Sequence, residues 1–124
     1  MARIERVGRV MVAVADQDAA IAFYTEKLGF QLSTDTPFGD GERWVEVTPP
    51  GGEASLALVP PQGEYQTGRM TGIALDTSDS EGLQSELRER GVDVDAEAMG
   101  GAGGVPRLFF LRDVDGNKLM VVGR

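Results

Sequence analysis

The stretch from Val14 to Phe30, VADQDAAIAFYTEKLGF, packs a strand end, a helix start, a short amphipathic helix and a turn into a new strand. A weaker copy, LDTSDSEGLQSELRERGVDV, follows about half a chain later, so that Asp16 corresponds to Asp79 and Gly29 to Gly91. A chain with this pattern reads as one module used twice. The repeat constrains the fold strongly and the chemistry much less.

Each copy can be read locally. Gly8 to Val14 alternates as a strand, with Val10, Val12 and Val14 on one face and Arg9, Met11 and Ala13 on the other. Asp16 is placed to cap a helix N-terminus, its carboxylate accepting otherwise unpaired backbone N–H groups. Ala20, Phe23, Tyr24, Lys27 and Leu28 then fall on one side at helical spacing, and Gly29 suits the left-handed position that closes the helix. Gln31 to Asp35 reads as a short strand and Thr36 to Gly41 as a turn. In Glu42 to Thr48, Trp44 and Glu46 lie opposite Arg43, Val45 and Val47. Pro49 to Gly52 reverses the chain, and Ala54 to Val59 returns as a hairpin partner.

Residues 60–68 lack periodicity and read as a linker. The second copy opens with a strand over Thr71 to Asp76, with Ile73 and Leu75 on one face. Ser78 and Glu81 have capping-box spacing, Leu83 and Leu87 form the apolar stripe of a helix, and Gly91 ends it. Val92 to Ala96 is a weak strand, and the glycine-rich run from Met99 to Gly104 holds no single conformation unaided. Pro106 to Leu111 and Lys118 to Val122 are strands joined by the Asp113 to Asn117 turn. Strand, helix and three strands thus occur twice. The fold class is α+β, in a single domain over residues 1–124: module one is about 1–60, the linker about 60–69, and module two about 70–124.

Three segments, VADQDAAIAFYTEKLGF, LDTSD and RDVDGNKLMVV, resemble the vicinal oxygen chelate superfamily, which includes glyoxalase I, extradiol dioxygenases, fosfomycin-modifying enzymes and bleomycin-sequestering proteins. The last segment departs from the family turn only in Val114, where proline is usual. The resemblance covers essentially the whole chain. It implies two βαβββ modules that form a curved, mostly antiparallel sheet around a cavity, closed within one chain or across a homodimer. Helices would cover the convex side, making Val10, Val12, Ile73 and Leu75 core. Arg9, Met11, Trp44, Glu46, Gly72 and Met120 would face the cavity.

Metal-dependent relatives carry ligands at four positions, which here hold Arg9, Gly72, Met120 and Glu46. Only Glu46 is a ligand type. A divalent cation takes about four to six N, O or S donors, and arginine stays protonated. The resemblance therefore implies a member with no metal and no cofactor. Two readings of Arg9 and Glu46 stay open: solvated side chains of an ordinary strand, or an ion pair across the cavity where the metal would sit. Met11, Phe38, Trp44, Tyr65, Met70, Met99, Phe110 and Met120 add an aromatic and methionine lining suited to flat apolar ligands. One of Phe109 and Phe110 must instead face the helices. Residues 60–70 and 99–104 read either as lids over the cavity or as ordinary surface loops.

Composition removes several alternatives. No cysteine or histidine is present, which excludes thiolate catalysis, disulfides and a Ser-His-Asp triad. A net charge of -8 disfavours nucleic acid and anionic membrane surfaces as partners. No apolar run reaches the roughly 20 residues of a membrane span, and MARIERVGRV lacks a secretory core, so a cytoplasmic location is expected. The expected function is binding of a small hydrophobic or aromatic molecule, with sequestration of an antibiotic or natural product as its concrete form and no catalytic residue. The alternative is a glyoxalase-like lyase or isomerase, with Glu46 as base and Arg9 stabilising an anionic intermediate.

Overall fold

Alternating apolar residues and two capped helices produce two four-stranded mixed sheets in an α+β arrangement, and neither sheet closes on itself. The computed structural model describes residues 2–124 and divides into one unit ending at Gln66 and another spanning Thr67–Arg124.

In the first unit the strands β1 (Arg9–Ala13), β2 (Gln31–Phe38), β3 (Glu42–Thr48) and β4 (Ser55–Val59) lie in the order β1-β4-β3-β2. Only the β1–β4 pair is parallel. Helix α1 (Gln17–Ala22) starts at Asp16, whose carboxylate accepts from Ala19 N at 3.0 Å. Gln17 fixes the helix to the sheet by donating from Nε2 to the carbonyls of Arg43 and Leu58. The core of this unit holds Val12, Val14, Ala20, Tyr24, Val45, Val47, Leu56 and Leu58, all buried, as burial of apolar surface requires. Tyr24 packs between Phe23 and Phe30, with ring centroids 5.4 and 5.5 Å away.

The second unit repeats the plan with β5 (Met70–Thr77), β6 (Asp93–Val94), β7 (Leu108–Arg112) and β8 (Lys118–Gly123), ordered β5-β8-β7-β6, again with a parallel β5–β8 pair. Helix α2 (Ser80–Glu89) buries Ser80, Gln84 and Leu87. Two of these are polar, and Arg107 satisfies both: it donates to Ser80 Oγ at 2.9 Å and to Gln84 Oε1 at 2.5 Å. The β7–β8 turn is organised by Asp113. Its carboxylate accepts from the backbone N–H groups of Asp115 and Asn117 and from Asn117 Nδ2, while Asn117 Oδ1 accepts from Gly68 N.

Several local expectations need correction. Residues Thr36, Pro37 and Phe38 belong to β2 and pair with Trp44, Arg43 and Glu42, so the turn shrinks to residues 39–41. Strand β2 is at the sheet edge, where proline's missing N–H costs no ladder bond. The first helix turns π-helical over Phe23–Lys27, which rotates Lys27 out to solvent instead of onto the packed side. The cap of α2 is Asp79, accepting from Gly82 N at 2.9 Å, rather than Ser78. Ile73 and Leu75 are only partly buried. The Val92–Ala96 strand contracts to Asp93–Val94. The glycine-rich run is a hairpin: Met99 bridges Leu108, and Gly101 N donates to Val105 O at 2.8 Å. At Gly100 (φ +73°) a Cβ would clash with the carbonyl oxygen of Pro106, so only glycine fits there. Among the described residues no helix is long and apolar enough to cross a membrane.

Candidate functional site

Pairing register determines which side chains share the sheet face turned away from α1. In the first unit, Met11 pairs with Ala57, Ala57 with Glu46, Glu46 with Thr34, and Trp44 with Thr36. At the centre of this face Glu46 is 9 % exposed. Arg9 Nε donates to its Oε2 at 3.0 Å, and the indole Nε1 of Trp44 donates to the same oxygen at 2.6 Å. Burying a carboxylate is costly unless it is paired and hydrogen-bonded, and these two donors meet that need. Glu46 is therefore not a solvated side chain, whereas Arg9, at the start of β1, is exposed and paired at once. The Phe38 ring stands edge-on to Trp44 with centroids 6.1 Å apart. Ser33, Thr48 and Ser55 connect their hydroxyls in a line at 2.8 Å spacings. Five expected residues, Arg9, Met11, Phe38, Trp44 and Glu46, thus belong to one sheet face, with Met11 and Phe38 exposed. Tyr65 lies in a small reversal where its backbone pairs with Gln62, and among the described residues no hydrogen bond or ring contact joins it to that group.

The second unit has its own corresponding face. Phe110 pairs with Met120, Met120 with Ala74, Met70 with Lys118, and Met99 with Leu108. Phe110 is on this side while Phe109 is fully buried, which resolves the choice between them. Lys118 places its ammonium 4.3 Å from the Phe110 ring centroid, a cation–π contact not anticipated from the sequence. Its signal was the two-residue spacing from Met120. Asp95 accepts from Phe110 N at 3.0 Å and from Arg112 Nη2 at 2.7 Å. Burial pushes the Asp95 carboxyl up, but the Phe110 N–H, the Arg112 guanidinium and the charge of Lys118 outweigh it, leaving it below the ordinary carboxylate value. A depressed folded-state pKa gives stability that is present above the unfolded value of about 4 and is lost as pH falls through the folded one. The stability difference between the natural protein and Asp95→Asn should therefore be constant from about pH 5 upward and shrink below about pH 4. Urea unfolding across that range measures it; a difference that does not change with pH would refute the assignment.

The donor set does not fit a divalent metal. Among the described residues no group of three or more His, Cys, Asp or Glu side chains stands together. Glu46 Oε2 already holds Arg9 and Trp44, so a cation there would meet a guanidinium nitrogen 3.0 Å from its ligand oxygen. In the second unit Gly72 adopts φ +77° within an irregularity of β5 between Met70 and Ala74. That position lacks a side chain, and its backbone also disfavours one.

Residues 6–121 match the model of the Glyoxalase/Bleomycin resistance protein/Dioxygenase superfamily. A solved structure of a superfamily member from Sphaerobacter thermophilus is similar, with a TM-score of 0.89 and 31 % identity over 98 % of each chain. TnmS3, an antibiotic binding protein from Streptomyces sp. CB03234, has a TM-score of 0.84 and 34 % identity, covering 99 % of this chain and 98 % of its own. A probable lactoylglutathione lyase from Vibrio parahaemolyticus is 28 % identical over 94 % of this chain and 89 % of its own.

Proposed function

The chain belongs to the Glyoxalase/Bleomycin resistance protein/Dioxygenase superfamily, and on that premise we propose that it is a metal-free binder of a small hydrophobic or aromatic molecule. Sequestration of an antibiotic or similar natural product is the concrete form of this reading. The observation that carries it is the state of Glu46. The one acidic residue at a family ligand position is engaged by Arg9 and by the ring nitrogen of Trp44. The acid at that position anchors an aromatic surface instead. Met11, Phe38 and Trp44 supply that surface, and the likeness to an antibiotic binding protein supports a binding role. On the second unit we assign Met70, Met99, Phe110 and Met120 to ligand contact as well, and we place Tyr65 with them. A homodimer in the cytoplasm completes the proposal.

The alternative is a glyoxalase-like lyase or isomerase, and the similarity to a probable lactoylglutathione lyase favours it. Glu46 would be its base, with Arg9 beside the developing anion. Against it, Oε2 is committed to two donors, leaving only Oε1 for proton abstraction.

A thermal-shift screen of the purified protein separates the two, because a ligand that prefers the folded state raises its stability. Flat aromatic natural products should raise the melting temperature, and zinc, nickel or manganese should not. A rise with a metal, or turnover of the glutathione hemithioacetal of methylglyoxal, would reverse the order of the two readings.

A further inference from the structure

Resting on the binding role just proposed, we infer that the ligand is a planar aromatic carrying an anionic oxygen, a carboxylate or a phenolate, which Arg9 receives. Arg9 meets Glu46 through Nε alone. A guanidinium has five N–H donors, and the four on Nη1 and Nη2 have no partner among the described residues. The Arg9 side chain is 49 % exposed while that of Glu46 is 11 % exposed, so the cation reaches out from a carboxylate that stays behind. The cross-strand neighbour of Arg9 is Ser55, whose hydroxyl is bonded to Thr48, so no second acid faces Arg9 from β4.

Trp44 adds the other half of the specification. Its one N–H is committed to Glu46, so it offers a guest its ring and not a donor. Glu46 thereby holds a charged fork and an aromatic ring on a single oxygen atom, which sets the spacing between them. A two-toothed N–H fork suits a carboxylate in particular. The net charge of -8 opposes an anion only at long range, and salt screens such repulsion beyond about 8 Å under physiological conditions.

The test uses three probes with the same ring system: anthracene carboxylate, anthracene methanol and protonated aminomethyl anthracene, titrated calorimetrically into the full chain at neutral pH. The carboxylate should bind about tenfold to hundredfold more tightly than the alcohol, with the amine weakest. In the double variant Arg9→Gln with Glu46→Gln, the ratio of carboxylate to alcohol affinity should fall to within about threefold of unity. If that variant does not fold, Arg9→Lys, which keeps the charge and loses the fork, should lower the ratio by about threefold or more. An alcohol or amine that binds as tightly as the carboxylate, or a preference that survives the substitutions, overturns the anion inference and leaves the aromatic site standing. No binding by any of the three overturns both.

Discussion

Replacing Asp113 with alanine should lower the melting temperature by about 12 °C. Its carboxylate accepts three N–H groups, from Asp115 N, Asn117 N and Asn117 Nδ2, and both Asp113 and Asn117 are buried. Truncation takes that acceptor away from all three. Each hydrogen bond lost this way costs about 1 to 3 kcal/mol, and the turn's other contacts together with access to water hold the total to about 3 kcal/mol. For a domain of this size each kcal/mol moves the midpoint by about 4 °C. The loss should spread, because Asn117 also holds Gly68 ahead of β5, so the turn and the start of the second unit loosen together. Asp113→Asn keeps one acceptor oxygen and should lose less than half as much. Calorimetric melting of the two variants checks this, and a midpoint within 2 °C of the natural protein for Asp113→Ala would contradict it.

The second large effect concerns the aromatic surface. Trp44→Ala should weaken an aromatic ligand by about 1 to 3 kcal/mol, or roughly 5-fold to 150-fold, the range for loss of a stacking contact near the centre of an interface. Trp44→Phe separates two contributions. It keeps a ring against Phe38 but removes the N–H that steadies Glu46, so affinity should fall to an intermediate value. Trp44 is the sole tryptophan, which allows binding to the natural protein to be followed by its fluorescence and to the variants by calorimetry. Unchanged affinity in a folded Trp44→Ala protein would move the ligand away from this face.

Much of this architecture was legible because the signals are local and repeated. Strand alternation put Val12 and Val14 on one side of β1 and Arg9 and Met11 on the other, and Asp16 capped the helix that its position announced. The same parity put Arg9 and Glu46 on faces that register can match, but it left their contact as one of two open readings. What stayed hidden depends on neighbours distant in sequence. Pro37 looks like turn chemistry until β2 is known to be an edge strand. Ser80 and Gln84 look like the outside of a helix until Arg107, more than twenty residues later, is seen to satisfy both. The bond from Trp44 to Glu46 joins side chains two apart on one strand, but nothing in their spacing says that one indole and one guanidinium share an oxygen. Lys118 reads as the start of a strand, and its place above Phe110 follows only once β7 is paired with β8.

The positive φ of Gly72 bears on how such a protein can change. Substitution is usually pictured as a side-chain event: one residue is exchanged for another on a backbone that stays as it was. Here a glutamate introduced at position 72 would begin from a left-handed backbone, a cost of about 1 to 2 kcal/mol before it contacted any ion. To remove that cost, β5 would first have to lose the irregularity between Met70 and Ala74, which alters its pairing with β8. A side chain at position 72 is therefore a question of backbone as well as of residue type.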